Sequence, residues 1–163
     1  MVLLGVDPGF QFAGFAILAK QGDKVMVLDY GYLKLSPSKH LTERTALFHD
    51  FFHEKIEKYK VTHLALETPF LGKNAQNFLK LGYLRGILYL LTHKYALQLY
   101  EFAPREVKQA VTGFGGASKE QVANMVGRLF PRIEKTIKYD VTDALAVTLC
   151  GMWKSKVNSV FTK

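Results

Sequence analysis

Two short, mostly apolar runs in this chain each end on an acid. Val2 to Val6 stops at Asp7, followed by Pro8-Gly9, and Val61 to Leu66 stops at Glu67, followed by Thr68-Pro69. An apolar run of five or six residues bounded by turn signals reads as a buried strand, so each carboxylate stands where a core strand leaves its sheet. An unpaired negative charge in such a place is costly. Whatever fold the chain adopts must therefore bring something cationic to both strand ends.

The pattern around these runs sets the fold class. Phe12 to Ala19 and Lys24 to Leu35, separated by Gln21-Gly22-Asp23, extend the first run into a three-stranded meander. Ser36 as cap and Pro37 at the first helical position predict a helix carrying Leu41, Phe48, Phe52, Ile56 and Tyr59 at helical spacing. A second helix is expected from about Asn74 to His93, with Leu81, Leu84, Leu88 and Leu91 on one face, and a fifth strand over Ala96 to Phe102. A short helix from Pro104 to Gly113, a capping box at Ser118-Lys119-Glu120-Gln121 opening a helix to Phe130, and a last helix from Asp140 to Trp153 complete the chain. Strands alternating with helices predict an α/β fold with a five-stranded mixed sheet flanked by helices. A strand, helix, strand crossover makes the first and fourth strands parallel neighbours, with Asp7 and Glu67 together at their carboxyl ends. The 163 residues are read as one domain, with 154–163 a loosely ordered basic tail.

Asp140 and Asp143, three apart at a helix start, lie on one face. Each acid alone has a structural reading: a turn, a lysine partner, a helix cap. Together, four carboxylates without histidine or cysteine offer hard oxygen donors suited to Mg²⁺ or Mn²⁺. The net charge is +8, and setting the four acids aside leaves 22 basic residues against ten acidic ones. An acidic pocket on a basic surface suits metal-assisted phosphodiester cleavage, in which two ions about 4 Å apart activate water and stabilise the leaving oxyanion. Residues 71–100 carry Lys73, Lys80, Arg85 and Lys94 with no Asp or Glu, an acid-free stretch for a polyanion to approach. His49 and His53 have the spacing of a zinc pair, but Asp50 stands where a catalytic Glu would and no third ligand is evident. No apolar run approaches the ~20 residues of a membrane span. The single cysteine, Cys150, and the lack of a signal-like start predict a cytoplasmic chain.

At these residues the chain resembles the RuvC family of Holliday-junction resolvases. The matching pieces are Gly5-Val6-Asp7-Pro8-Gly9 with Gly14, Leu66-Glu67, Lys73-Asn74, Leu79-Lys80-Leu81-Gly82 with Arg85-Gly86, and Ala103-Pro104 with Val107-Lys108. Further on come Gly113, Ala117-Ser118-Lys119 with Gln121-Val122, and Asp140 to Asp143 with Ala144-Leu145-Ala146. The resemblance implies a ribonuclease-H-like fold, a homodimer, and symmetric metal-dependent incision of a four-way DNA junction in recombination and repair. By position it implies that Asp7, Glu67, Asp140 and Asp143 are the metal-binding catalytic acids, with two Mg²⁺ per site and Mn²⁺ as an alternative. Lys108 and Lys119 fall near the scissile phosphate, and Phe70 in a loop that inserts near the junction centre. Lys73, Asn74, Lys80, Arg85 and Arg105 are further candidate DNA contacts, and branch-migration proteins are candidate partners. The chain departs from the family pattern at Phe10, Ala13 and Thr68-Pro69. Paired cutting needs two sites, which makes the Leu81, Leu84 and Leu88 face a candidate dimer surface. The competing reading is a non-catalytic junction-binding protein of the same fold.

Overall fold

The computed structural model describes residues 1–22, 24–69, 75–133 and 138–160, the last six of these by backbone alone. Phe70, Lys73 and Asn74 lie outside the described residues. Strands β1 (Val2–Asp7), β2 (Phe12–Gln21) and β3 (Lys24–Lys34) lead into helix α1 (Leu41–Tyr59), strand β4 (His63–Glu67) and helix α2 (Ala75–Lys94). Strand β5 (Gln98–Phe102) and helices α3 (Pro104–Thr112), α4 (Lys119–Leu129) and α5 (Tyr139–Val160) follow. The strand order is β3-β2-β1-β4-β5, with β1 and β4 parallel and β1 and β2 antiparallel, the mixed sheet expected from the alternation.

Side chains alternate across the sheet, and the two faces bury different sets. Leu4, Val6, Ile17, Leu64 and Leu66 pack with Phe48, Phe52 and Ile56 of α1 and Leu84, Leu88 and Leu91 of α2. Leu3, Ala16, Leu18 and Ala65 pack under α3, α4 and α5. The core is thus two apolar layers, one on each side of the sheet.

Three element boundaries differ from expectation, each for a local reason. Helix α1 opens at Leu41, not after Ser36, because residues 36–39 close a turn in which the Lys39 N–H donates to the Ser36 carbonyl. Pro37 serves as the second residue of that turn. Strand β5 starts at Gln98, since Ala96 turns left-handed (φ 49°) behind α2. Helix α5 continues past Trp153 to Val160, with no glycine or proline between 152 and 160 to stop it. The capping box forms: Ser118 Oγ accepts from the Gln121 N–H at 3.2 Å, and Gln121 Oε1 accepts from the Ser118 N–H at 2.8 Å.

The candidate dimer face needs correction. Leu84 and Leu88 are fully buried against the sheet, where each contributes roughly 1.5–3 kcal/mol to folding and has no surface to offer a partner. The outward face of α2 carries Leu79, Tyr83 and Leu90 instead, at 58%, 41% and 60% exposure. Among the described residues, no helix is long and apolar enough to cross a membrane.

Candidate active site

The register of β1 and β4 pairs Gly5 with Ala65 and Val6 with Leu66, so Asp7 and Glu67 follow side by side. Ala65 and Leu3 face the α5 layer. By the two-residue alternation, Asp7 and Glu67 face it too. Helix α5 crosses β1 and β2 at unusually close range. A Cβ on Gly5 would come within 1.9 Å of Thr148 Oγ1, and one on Gly14 within 1.9 Å of the Asp140 carbonyl oxygen. Glycine at these two positions lets the first turns of α5 settle on the strands, which delivers Asp140 and Asp143 to the end of β1. Thr148, fully buried by this approach, satisfies its hydroxyl by donating to the Ala144 carbonyl at 2.5 Å.

Asp7, Glu67, Asp143, Lys108 and Lys119 line a cleft of about 400 Å³, closed on one side by Pro104, Val107 and Val122. Asp140 does not line the cleft, but its charge reaches Asp7. Burial first, then repulsion from Asp143, Asp140 and Glu67, pushes the Asp7 carboxyl up to about 7, against a smaller opposing pull from Lys119. Burial and Asp143 raise Glu67 as well, offset in part by Lys119, Lys108 and Arg85. Lys119 Nζ donates to Asp143 Oδ2 at 3.0 Å, the one ion pair any of the four acids makes among the described residues. That hydrogen bond, reinforced by Asp143, Asp7 and Asp140, raises the Lys119 ammonium above the usual lysine value.

Among the described residues the four acids thus share one electrostatic neighbourhood with too little positive charge to balance them. Among the described residues no three acidic, histidine or cysteine side chains close around a common point tightly enough to hold an ion in the arrangement seen. Donor type and charge nevertheless fit a hard divalent cation: oxygen donors only, mutually repelling, with a central aspartate that burial and then its acidic neighbours push up to about 7. A cation there would supply the charge that both strand ends require.

Arg85, expected as a surface contact, is buried. It is 5% exposed, and its guanidinium donates to the Glu67 carbonyl at 2.5 Å, to Glu101 Oε1 at 2.5 Å and to the Tyr89 hydroxyl at 2.9 Å. It is a clamp that joins α2, β4 and β5 and fixes the backbone from which the Glu67 side chain leaves. Burying a guanidinium is tolerable only with such full pairing. Glu101 and Tyr89 are therefore supports of the site that sequence reasoning missed. Lys80 and Arg105 are exposed on α2 and α3, away from the cleft lining.

The loop after Asp7 is held from the opposite layer. Arg44 of α1 hydrogen-bonds the Phe10 carbonyl and lies 4.4 Å over the Phe10 ring. Phe10 is thus a loop anchor, while Ala13 is a core residue of the α1 and α2 side. At the end of β4, Thr68 N–H donates to the Phe102 carbonyl at 2.7 Å, extending the ladder one residue beyond Glu67. His49 and His53 stack on each other, 5.8 Å between centroids, with Asp50, Glu57 and Tyr95 as neighbours rather than a metal-ligand set. Cys150, buried and with its thiol pushed up to about 12, is no nucleophile.

Known proteins resemble this chain over most of its length. The family described as crossover junction endodeoxyribonuclease RuvC matches residues 3–151. The crossover junction endodeoxyribonuclease RuvC of Chloroherpeton thalassium is 42% identical over 155 residues, 95% of this chain and 83% of that protein. Its counterpart in Chlorobium phaeobacteroides is 45% identical over 152 residues, 93% of this chain and 81% of that protein. Thermus thermophilus RuvC, in complex with a Holliday junction substrate, has the same ribonuclease-H-like fold. Its TM-score is 0.89 at 28% identity, covering 97% of this chain and 96% of that one. The yeast mitochondrial Holliday junction resolvase shares the fold at a TM-score of 0.69 and 15% identity, covering 96% of this chain and 80% of that one.

Proposed function

The chain belongs to the RuvC family of crossover junction endodeoxyribonucleases, and from that premise we propose that it resolves Holliday junctions. In this reading it is a metal-dependent endonuclease that makes symmetric paired incisions in four-way junction DNA, in recombination and repair in the cytoplasm. The observation that carries the proposal is Asp7: a strand-end carboxyl beside Glu67, pushed up to about 7 by burial and the charges of Asp143, Asp140 and Glu67. A protein that only bound DNA would gain nothing from massing acids against phosphates.

Asp7, Glu67, Asp140 and Asp143 would hold two Mg²⁺, or Mn²⁺ in their place, and such ions would supply Lewis-acid activation of the phosphate and of the attacking water. The chain's own groups orient the substrate. Lys119, anchored on Asp143, and Lys108, across the cleft near Glu67, place positive charge where a phosphate lying over the acids would sit. Arg85 keeps the Glu67 backbone from shifting under that load. Phe70 is proposed to act near the junction centre, with Lys73, Asn74, Lys80 and Arg105 as outer DNA contacts.

Cutting both strands in one encounter requires two sites. We assign the homodimer contact to the outward face of α2, where Leu79, Tyr83 and Leu90 are exposed and nothing lies within 4 Å of a Cβ on Gly82 or Gly86. Two such helices can approach closely over those glycines. Branch-migration proteins are proposed as further partners of the dimer.

The test is a labelled synthetic four-way junction incubated with the protein and Mg²⁺ or Mn²⁺, beside a linear duplex of the same sequence. The wild type should nick opposite strands of the junction and spare the duplex. A Leu79→Asp, Leu90→Asp double variant should sediment as a monomer and leave singly nicked junctions. Junction binding with no nicking in either metal would instead favour the non-catalytic reading.

A further inference from the structure

On the far side of Asp140 from the cleft lies a second feature that the four acids do not use. The ladder places Asp7 opposite Gly14 and Gly14 opposite Tyr32, so these three residues lie in line across β1, β2 and β3. Phe12 and Lys34 pair one step further along the same face. Phe12 and Tyr32 meet edge-on, 5.4 Å between centroids. Over both rings stands Lys138, its ammonium 3.1 Å from the centre of Phe12 and 4.6 Å from that of Tyr32. Tyr32 is 45% exposed, and Tyr139, next to Asp140, is 54% exposed.

Lys138 is oddly placed for a purely structural lysine. Its carbonyl accepts from the N–H groups of Val141 and Thr142, so it caps the start of α5. A cation at that end opposes the helix dipole. No carboxylate ion-pairs with it among the described residues, and its charge is steadied by the two aromatic faces alone. Residues 30–42 add Lys34, Lys39 and His40 and contain no Asp or Glu. An arrangement that works against the helix yet keeps a positive charge and a flat ring presented beside the catalytic acids fits a ligand with phosphates and stacking surfaces.

Strands in a sheet lie about 4.8 Å apart, which puts the Tyr32 backbone roughly 10 Å from that of Asp7. The axis of a DNA duplex rises about 3.4 Å per nucleotide and successive phosphates of one strand step farther than that, so this corner falls one or two nucleotides from a phosphate seated over the acids. We propose that Lys138 and Tyr32 bind the incised DNA strand one or two nucleotides from the cut, Lys138 on a backbone phosphate and Tyr32 against a sugar or base. The inference rests on the junction-cutting reading and adds a contact that neither the cleft lysines nor the α2 face provides.

The experiment measures four-way junction binding without divalent metal across a salt series, for the wild type and for Lys138→Ala, Lys138→Arg and Tyr32→Ala, with melting temperatures checked in parallel. Lys138→Ala should shrink the slope of log affinity against log salt by about one unit, and Lys138→Arg should restore it. Tyr32→Ala should weaken binding at least about fivefold with a smaller change of slope. At saturating junction both alanine variants should nick at a rate within about twofold of the wild type. A neutral methylphosphonate placed in turn one, two or three nucleotides from the cut should weaken wild-type binding at one position and leave Lys138→Ala indifferent there. Wild-type affinity and slope in folded Lys138→Ala and Tyr32→Ala proteins, while the wild type itself binds and cuts, would overturn this contact alone. Failure of the wild type to bind the junction would overturn the functional reading and the contact together.

Discussion

Asp7→Asn should abolish junction nicking and at the same time make the metal-free protein more stable at pH 8. The loss of activity follows from removing the central metal-binding carboxylate. A catalytic ion is worth several kcal/mol of transition-state charge stabilisation, so a drop of at least about a thousandfold is expected. The gain in stability follows from the direction of the Asp7 shift. Its carboxyl lies at about 7 in the fold against an ordinary 3.8. Between those values the folded chain binds more protons than the unfolded chain, so stability falls as pH rises from about 4 to 7 and then levels off. At 1.36 kcal/mol per unit the penalty above pH 7 reaches about 4 kcal/mol as an upper bound. An uncharged asparagine removes it and also relieves Glu67 and Asp143 of a repelling neighbour. For a domain of this size the melting temperature should rise by roughly 5 °C or more at pH 8, with little change at pH 4. Added Mg²⁺ should stabilise the wild type and leave the variant nearly unmoved. A variant that still cuts, or that melts below the wild type at pH 8, would contradict the assignment.

The second large effect is expected from a single methyl group. Gly14→Ala drives its Cβ into the α5 backbone, 1.9 Å from the Asp140 oxygen, 2.3 Å from its carbon and 3.0 Å from the Val141 nitrogen. No flexible side chain is there to yield, so the helix start must lift. The cost should reach about 3 kcal/mol, the upper end for overpacking. Because the atoms displaced belong to Asp140 itself, activity should fall further than stability. A misplacement of about 1 Å costs on the order of 100-fold in rate. Gly127→Ala in α4 is the control: nothing lies within 4 Å of its Cβ, and it should stabilise by up to about 1 kcal/mol with activity unchanged. Nicking by folded Gly14→Ala at the wild-type rate would show that the close approach of α5 does not set the site.

These expectations rest on features the sequence reveals unevenly. Strand-end acids are legible because a short apolar run ending on a carboxylate is a local pattern, and the crossover rule then makes β1 and β4 parallel neighbours. The capping box at Ser118 is equally local. Arg85 shows the limit of such reading. The segment 71–100 carries no acid, which suggests a DNA-facing arginine, yet Glu101 is the very next residue and β5 brings it to 2.5 Å from the guanidinium. A partner on another element is invisible to a scan along the chain. The leucines of α2 mislead for a related reason: periodicity identifies a stripe but not which stripe meets the sheet, and Leu84 and Leu88 turn inward while Leu79 and Leu90 remain outside. The patch of Phe12, Tyr32 and Lys138 draws on three elements at once and has no sequence signature. Gly14 belongs to the matching pieces, but the reason it must be glycine, the α5 backbone above it, is not visible along the chain.

The account depends most on Asp7, Glu67, Asp140 and Asp143 acting as one cation-binding group, although among the described residues Lys119 alone offsets them by direct contact. Crystals soaked in Mn²⁺ and measured at an energy where manganese scatters anomalously test this directly. Two anomalous peaks ligated by Asp7 and shared among Glu67, Asp140 and Asp143 are expected, and both should vanish in Asp7→Asn. Peaks confined to other residues, or no peak at Mn²⁺ concentrations that support nicking, would contradict it.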